Sequence, residues 1–198
     1  MESIIRARAP LRLGLAGGGT DVSPYCDIHG GFVLNATLDR YAYTVIKLLD
    51  RPEIRFVAGD QQSEFVQNSS TEVKIDGSLN LHKAVYSHMI QTYNGGKSIP
   101  LEMNTFCDAP AGSGLGSSST LVVVMIRAFA ELLNLPLDDY TIAHLAYKIE
   151  RVDCGLQGGR QDQYSATFGG FNFLEFYADD RAVINPLRIN NWLICAIA

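Results

Sequence analysis

A glycine-rich stretch at residues 110–120 has the composition of an anion-binding loop, and its sequence is PAGSGLGSSST. The glycines are Gly112, Gly114 and Gly116, and an apolar run begins directly after the stretch. Glycine lets the backbone approach a ligand closely and adopt positive φ without steric strain. The N–H groups at a helix N-terminus are unpaired and carry partial positive charge. A loop followed by a helix therefore predicts a phosphate site, although the loop alone leaves open a plain turn before a core helix.

Hydroxyl and carboxylate side chains supply further oxygens for phosphate or metal chemistry. Ser117, Ser118 and Ser119 can cap the predicted helix or offer a hydroxyl to phosphate or Mg²⁺. Glu150 falls at the edge of the apolar stripe of a later helix, where the pattern alone favours a solvated side chain. Asp162 is the one carboxylate among the five glycines of residues 154–170.

A second glycine-rich turn, Gly17-Gly18-Gly19-Thr20-Asp21, follows the first predicted strand. A dinucleotide-binding fingerprint needs a helix directly after its glycines. The proline three residues after Asp21 argues against a long helix at this point. The sequence therefore disfavours a Rossmann site here.

The pattern of apolar residues predicts an α+β domain in which helices cover a mixed sheet. The predicted strands are residues 4–16 (broken at Pro10), 31–38, 41–48, 53–58, 101–107, 171–177, 183–189 and 192–198. Residues 39–40 are predicted to form a tight turn, and residues 61–77 a polar surface excursion. The predicted helices are an amphipathic one that carries His88 on its apolar side, a buried central one over residues 121–133, and one capped by Asp138 or Asp139.

Composition narrows the classes of function. The 198 residues are 47% hydrophobic and carry a net charge of −5 without a long basic run, which argues against nucleic-acid binding. The four cysteines form no C-x-x-C pair, so we expect reduced thiols and a cytoplasmic protein rather than a disulfide framework. No apolar stretch reaches the length of a membrane span, so no membrane partner is expected.

Three segments, in order along the chain, resemble the motifs of the GHMP kinases, the superfamily of galactokinase and of homoserine, mevalonate and phosphomevalonate kinases. Residues 9–21 (APLRLGLAGGGTD) resemble the first motif, and residues 110–119 the second. The IER of residues 149–151, followed by GGRQDQY at residues 158–164, resembles the magnesium-ligand and catalytic-aspartate region. The loop lacks a Walker A lysine, so it is a phosphate loop of another kind. Together with residues 25–37, the first motif is closest to the sugar-1-kinase branch, and within it to the D-glycero-D-manno-heptose 7-phosphate kinases.

The resemblance implies a role for each candidate residue. The nucleotide phosphates would lie on Gly112, Ser113, Gly114, Leu115, Gly116, Ser117, Ser118 and Ser119. Ser118 (or Ser117) and Glu150 would hold Mg²⁺, and Asp162 would be the general base. Arg12 stands where many members carry a lysine near the transferred phosphate. The sugar would contact Gly18, Gly19, Thr20, Asp21 and Arg160, although Asp21 could instead be a turn residue.

The resemblance also implies a fold, a domain division and a reaction. Residues 1–170 would form the ATP-binding N-terminal domain, which shares its fold with a ribosomal-protein domain, and residues 171–198 would begin an incomplete C-terminal part. The reaction would be ATP-dependent phosphorylation of a sugar or sugar phosphate at the anomeric hydroxyl, with heptose 7-phosphate converted to the 1,7-bisphosphate for nucleotide-activated heptose synthesis. The alternatives are a fucose- or galactose-type kinase and a non-catalytic nucleotide- or sugar-binding fragment. A chain ending in an apolar run is expected to be inactive alone and to self-associate through its last strand.

Overall fold

A computed structural model describes residues 4–110 and 112–189 of the chain. The strands are β1 (Ile4–Ala16), β2 (Gly31–Leu48), β3 (Glu53–Ala58), β4 (Ser63–Asn68), β5 (Leu101–Cys107), β6 (Phe171–Phe176) and β7 (Ala182–Pro186). The helices are α1 (Tyr25–His29), α2 (Asn80–Tyr93), α3 (Ser117–Leu132), α4 (Asp139–Tyr147) and α5 (Gln161–Phe168), and a π-helical turn, Lys148–Asp153, continues α4. None of these helices is long and apolar enough to cross a membrane.

The seven strands form one mixed sheet in the order β4-β3-β5-β2-β6-β7, and β1 pairs with β2 outside this path. The first half of β2 pairs with β6 and its second half with β5, while β1 runs antiparallel along its other edge. Among the strands that the structure describes, only β3 and β5 pair in parallel. The described strands after residue 170 thus continue the same sheet, and the domain boundary predicted there stays a prediction.

The apolar helix after the glycine loop is the central element of the core, as the sequence predicted. Residues 122–126 of α3 are completely buried, and the helix packs against the sheet and against α2, α4 and α5. Apolar side chains around most of its circumference suit this buried position. Asp138 caps α4 by accepting a hydrogen bond of 2.7 Å from the Thr141 N–H, which confirms the predicted start of that helix.

Three local predictions were wrong. Residues 39–40 form no turn, because β2 is continuous and bulges there: Pro10 pairs with Tyr41 and Arg12 with Thr37, so three residues of β2 lie opposite Leu11. The predicted break at Pro10 is this change of register in an unbroken β1. Residues 61–77, predicted to be a surface excursion, contain β4. No structure was predicted for residues 154–170, which contain α5. The predicted strand at residues 192–198 lies outside the described residues.

The buried histidine of α2 is His82 rather than His88, which is half-buried and lies 3.4 Å from Asp153. His82 Nε2 lies 2.7 Å from the Thr105 hydroxyl of β5, and burial lowers the pKa of His82 from 6.5 to about 4. Between these two pH values the unfolded chain binds a proton that the folded protein excludes. The stability therefore rises with pH across this window and is lost as the pH falls below about 6.5.

We expect His82→Gln to flatten this dependence. The slope of the unfolding free energy between pH 4 and 6.5 should fall by up to about 1.4 kcal/mol per pH unit, since glutamine does not titrate. Urea denaturation at several pH values measures the slope. The control is His144→Gln, which removes an exposed histidine from α4. An unchanged slope in the His82 variant would contradict the assignment.

Candidate active site

The glycine loop opens α3 in the conformation that its composition predicted. Gly112, Gly114 and Gly116 have φ of 80°, 75° and 75°, values that favour glycine. Gly116 is the N-cap residue of α3, and it offers the first-turn amides no side-chain cap. A Cβ added at Gly112 or Gly114 would meet no heavy atom within 4 Å, so open space lies beside the loop. A ligand phosphate can therefore approach this backbone and the N-terminus of α3.

This open space is a cavity of about 370 Å³ that brings together residues distant in sequence. It is lined by Arg12, Gly19, Asp21, Val22, Gly112, Gly114, Gly116, Ser117, Ser118, Arg151, Gln157, Gly158, Gly159, Gln161 and Asp162. A larger cleft of about 710 Å³ lies between β1 and the end of α3, and no predicted site residue lines it. The predicted site residues that line a cavity are therefore found in the smaller one.

Asp162, in the first turn of α5, pairs with Arg12 of β1. Its Oδ1 accepts a hydrogen bond from Arg12 Nε at 2.6 Å and lies 2.5 Å from Arg12 Nη2 in an ion pair. Arg12 Nη1 also donates to the Gly114 carbonyl at 2.9 Å, so one guanidinium joins the aspartate to the glycine loop. Burial raises the pKa of the Asp162 carboxyl above its ordinary value, and Arg12 acts against that rise. The Asp162 carboxyl, with its raised pKa, is thus held beside the glycine loop.

Glu150 lies in the π-helical turn and is completely buried, so the solvated position favoured by the helical pattern is wrong. Its Oε1 accepts a hydrogen bond from the Ser118 hydroxyl at 2.7 Å, and its Oε2 accepts from the Ser119 hydroxyl at 2.6 Å. Gln163 Nε2 donates to Oε2 at 2.7 Å. These neutral donors, with Arg151 at 3.4 Å, compensate a buried charge that would otherwise be costly.

The oxygens of Ser118 and Glu150 fit a magnesium ion. Adjacent ligands of octahedral Mg²⁺, with bonds of about 2.0–2.1 Å, lie about 2.9 Å apart. The Ser118 Oγ and Glu150 Oε1 are separated by 2.7 Å, close to that value. The described residues contain no group of three or more His, Cys, Asp or Glu suited to a metal. Mg²⁺ takes few protein ligands and completes its shell with water and phosphate, so two protein oxygens can suffice.

The carboxylate of Asp21 is 1% exposed and binds the N-terminus of α5. Its Oδ2 accepts hydrogen bonds from the N–H groups of Arg160 at 2.8 Å and Gln161 at 2.9 Å. Its Oδ1 accepts longer ones from the Gly19 N–H and the Gln161 side-chain amide. Asp21 thus fixes the helix that carries Asp162, while its position in the cavity wall keeps the predicted sugar contact open as a prediction.

Several predicted ligand residues are held by protein groups or lie outside the cavity lining. The Arg160 guanidinium is 3.2 Å from Asp180 and 3.4 Å from Asp27 and does not line this cavity, so its contact with the substrate stays a prediction. The Thr20 hydroxyl binds backbone groups of Gly17 and Phe32. The Ser119 hydroxyl is completely buried against Glu150. Gly18, Ser113 and Leu115 do not line the cavity, and Leu115 packs against the core.

Sequence reasoning did not single out Arg151, Gln157, Gln161 and Gln163. Arg151 directly follows Glu150, and Gln161 and Gln163 flank Asp162. Their position next to the two predicted acidic residues is the sequence feature that could have identified them. The side-chain oxygen of Gln161 is buried and has no hydrogen-bond partner among the residues that the structure describes. Because Gln161 lines the cavity, that oxygen is a candidate acceptor for a ligand hydroxyl.

A cavity lined by a glycine loop, an arginine and carboxylates suits phosphoryl transfer, which depends on positioning and charge neutralisation more than on covalent chemistry.

Residues 80–170 match the family described as GHMP kinases N terminal domain. The chain therefore contains a GHMP kinase N-terminal domain, as its motifs predicted. The matched segment runs from α2 to the end of α5 and includes the glycine loop, Glu150 and Asp162.

Individual relatives agree with this assignment. The chain is 50% identical over 189 residues to D-glycero-alpha-D-manno-heptose 7-phosphate kinase of Campylobacter jejuni, an alignment that covers 96% of this chain and 56% of the relative. The crystal structure of a D-glycero-D-manno-heptose 1-phosphate kinase from Bacteroides thetaiotaomicron superposes with a TM-score of 0.92 at 49% identity, over 98% of this chain and 62% of that one. Lactococcus lactis galactokinase, at 21% identity and a TM-score of 0.75, shares the fold over 96% of this chain and 48% of its own length. The chain thus spans 48–62% of the length of these three proteins.

Proposed function

We propose that this chain forms the nucleotide-binding part of an ATP-dependent kinase for a phosphorylated sugar. The proposed reaction converts D-glycero-D-manno-heptose 7-phosphate to the 1,7-bisphosphate in the cytoplasm. The observation that carries the proposal is the guanidinium of Arg12, which joins the candidate base Asp162 to the phosphate loop within one cavity. The similarity to two proteins named as heptose phosphate kinases supports this choice of sugar.

In the proposed mechanism the loop binds the phosphate donor, ATP, and Asp162 acts on the hydroxyl of the sugar that accepts the phosphate. The backbone N–H groups at the start of α3 bind the phosphates of ATP. Asp162 accepts the proton of the anomeric hydroxyl, the oxygen of which attacks the γ-phosphorus while the bond to the ADP oxygen breaks. Arg12 holds the Asp162 carboxylate in place and brings positive charge to the transferred phosphoryl group.

Magnesium has a defined place in this scheme. Ser118 and Glu150 would hold it, and when bound it would neutralise phosphate charge during transfer. Ser119 and Gln163 keep Glu150 oriented, since both donate hydrogen bonds to its Oε2.

A substrate panel tests the proposed function. A full-length protein that contains residues 1–198 is incubated with Mg²⁺, ATP and, in separate reactions, heptose 7-phosphate, unphosphorylated heptose, fucose or galactose, because residues 1–198 alone are expected to be inactive. We expect phosphate transfer to heptose 7-phosphate, with ³¹P NMR showing a new anomeric phosphate. Preference for fucose or galactose would overturn the choice of sugar. Binding of nucleotide and sugar without transfer would indicate a non-catalytic fragment.

Gly114 and Gly116 form a matched pair for testing the contact between the loop and Asp162. Both have φ of 75°, so alanine should strain the backbone by about 1–2 kcal/mol at either position. A Cβ at Gly116 would lie 3.1 Å from Asp162 Cγ, whereas one at Gly114 would meet open space. We expect similar losses of thermal stability but a kcat about tenfold lower in Gly116→Ala than in Gly114→Ala, because the aspartate is displaced. Equal kcat values in the two variants would argue against this contact.

A further inference from the structure

Arg151 is a second arginine in the wall of the cavity that contains Arg12. Its side chain is 11% exposed and lines the wall that Ser118 and the glycine loop also form. Its guanidinium donates to the Gln157 carbonyl at 3.0 Å. The Gly159 carbonyl, the Ser119 hydroxyl and Glu150 Oε1 each lie 3.4 Å from one of its nitrogens.

The two arginines of the cavity differ in how fully their donors are used. Arg12 makes contacts of 2.5, 2.6 and 2.9 Å, so its guanidinium is committed to Asp162 and to the loop. Arg151 makes one contact of ordinary length and three at 3.4 Å, beyond the usual range of about 2.7–3.2 Å. A guanidinium has five N–H donors. Arg151 can therefore form shorter bonds to a ligand without giving up strong ones.

The backbone next to Arg151 is shaped to receive the guanidinium. Gly158 has φ of 151°, and a Cβ at this position would lie 2.6 Å from Arg151 Cζ. Any side chain there would push the guanidinium away, so the glycine lets it lie against the strap of residues 157–159. That strap also forms part of the cavity wall.

We propose that the Arg151 guanidinium binds a phosphate group of the ligand in this cavity and makes the site selective for it. The planar fork of arginine matches two phosphate oxygens, and burial strengthens such a charge-assisted pair. The phosphate has two possible sources within the proposed function, on which this inference rests: the terminal phosphate of the nucleotide and the phosphate of the sugar. Both offer the same chemistry, and the experiment separates them.

The test is isothermal titration calorimetry on the purified protein and three variants. Arg151→Gln removes the charge, and Arg151→Lys keeps the charge but loses the fork. Arg55→Gln is the control. Like Arg151, Arg55 lies beside carboxylate side chains, in its case Glu64 and Glu102, but it is on β3 and does not line the cavity. The probes are ATP, ADP, heptose 7-phosphate, unphosphorylated heptose and inorganic tripolyphosphate. Thermal denaturation checks that each variant is folded.

We expect Arg151→Gln to weaken binding of the phosphate-bearing ligand by about 10- to 100-fold, with Arg151→Lys intermediate and Arg55→Gln unchanged. Loss of the preference for ATP over ADP identifies the nucleotide phosphate. Loss of the preference for heptose 7-phosphate over heptose identifies the sugar phosphate.

Two results would overturn the inference: unchanged affinities in both Arg151 variants, or equal losses for ligands with and without the phosphate, which would mark a structural role. If the unsubstituted protein binds tripolyphosphate through Arg151 but neither ATP nor the sugar, the proposed function fails and the phosphate site stands.

Discussion

Replacing Asp162 with Asn in a full-length protein should lower kcat by about 10²–10⁴-fold and leave ATP affinity nearly unchanged. Asparagine keeps the shape of the side chain but cannot accept the hydroxyl proton, and general-base removal has an effect of this size. Arg12 would lose its carboxylate partner, yet it would keep its hydrogen bond to the Gly114 carbonyl, so the loop should retain its position. Steady-state kinetics and nucleotide titration measure the two quantities separately.

The pH profile provides a second readout for Asp162. Because burial raises the pKa of this carboxyl, the acid limb of the kcat profile should lie above the ordinary aspartate value of 3.8. The rate falls as the pH drops through the raised pKa, since the base becomes protonated. The Asn variant should lack this limb. Asp139→Asn is the control: Asp139 also pairs with an arginine, Arg127 at 2.8 Å, but does not line the cavity. Near-normal turnover in the Asp162 variant would mean that another group is the base.

The sequence predicted those elements whose pattern is set locally. The apolar circumference of α3, the alternation in β3 and β5, and the cap at Asp138 all depend on residues next to one another. The bulge of β2 depends on its register with β1, which no local pattern encodes. β4 has a polar sequence, and its strand conformation depends on pairing with β3.

The start of α5 shows the same limit. It lies in a glycine-rich stretch, and its first amides are bound by Asp21, which is 140 positions away from Gln161. A stretch of glycines gives no helical signal, and the carboxylate that binds this helix N-terminus is visible only in the folded chain.

In the candidate site, residue types were predictable and their partners were not. The resemblance identified Arg12, Glu150 and Asp162. The structure adds the pairing of Arg12 with Asp162, 150 positions apart, and the hydrogen bonds of two serines to Glu150. Helical periodicity placed Glu150 at the edge of a buried stripe. The π-helical turn changes that periodicity locally, and Glu150 is buried. Arg160 was chosen as a cation near the motif, and in the structure its guanidinium lies beside Asp27 and Asp180.

The second large effect is expected for Glu150→Gln. The variant loses the negative charge proposed to hold Mg²⁺, and loss of several kcal/mol of charge stabilisation corresponds to a fall in kcat of about 10³-fold. Its new amide would also place a donor among the donors Ser118, Ser119 and Gln163, so folded stability should decrease. Nucleotide affinity measured with and without Mg²⁺ separates the two effects: the ion should strengthen ATP binding to the unsubstituted protein but not to the variant.

Ser118→Ala and Ser119→Ala are the matched controls for this prediction. Each removes one hydrogen bond to Glu150, of 2.7 and 2.6 Å respectively, so each should destabilise the protein by about 1–3 kcal/mol. Only Ser118 lines the cavity, since Ser119 is completely buried. We therefore expect Ser118→Ala to weaken the Mg²⁺ dependence of ATP binding and Ser119→Ala to retain it. If both serine variants and Glu150→Gln respond to Mg²⁺ as the unsubstituted protein does, the metal site lies elsewhere and Glu150 serves only to hold the start of α3 against the π-helical turn.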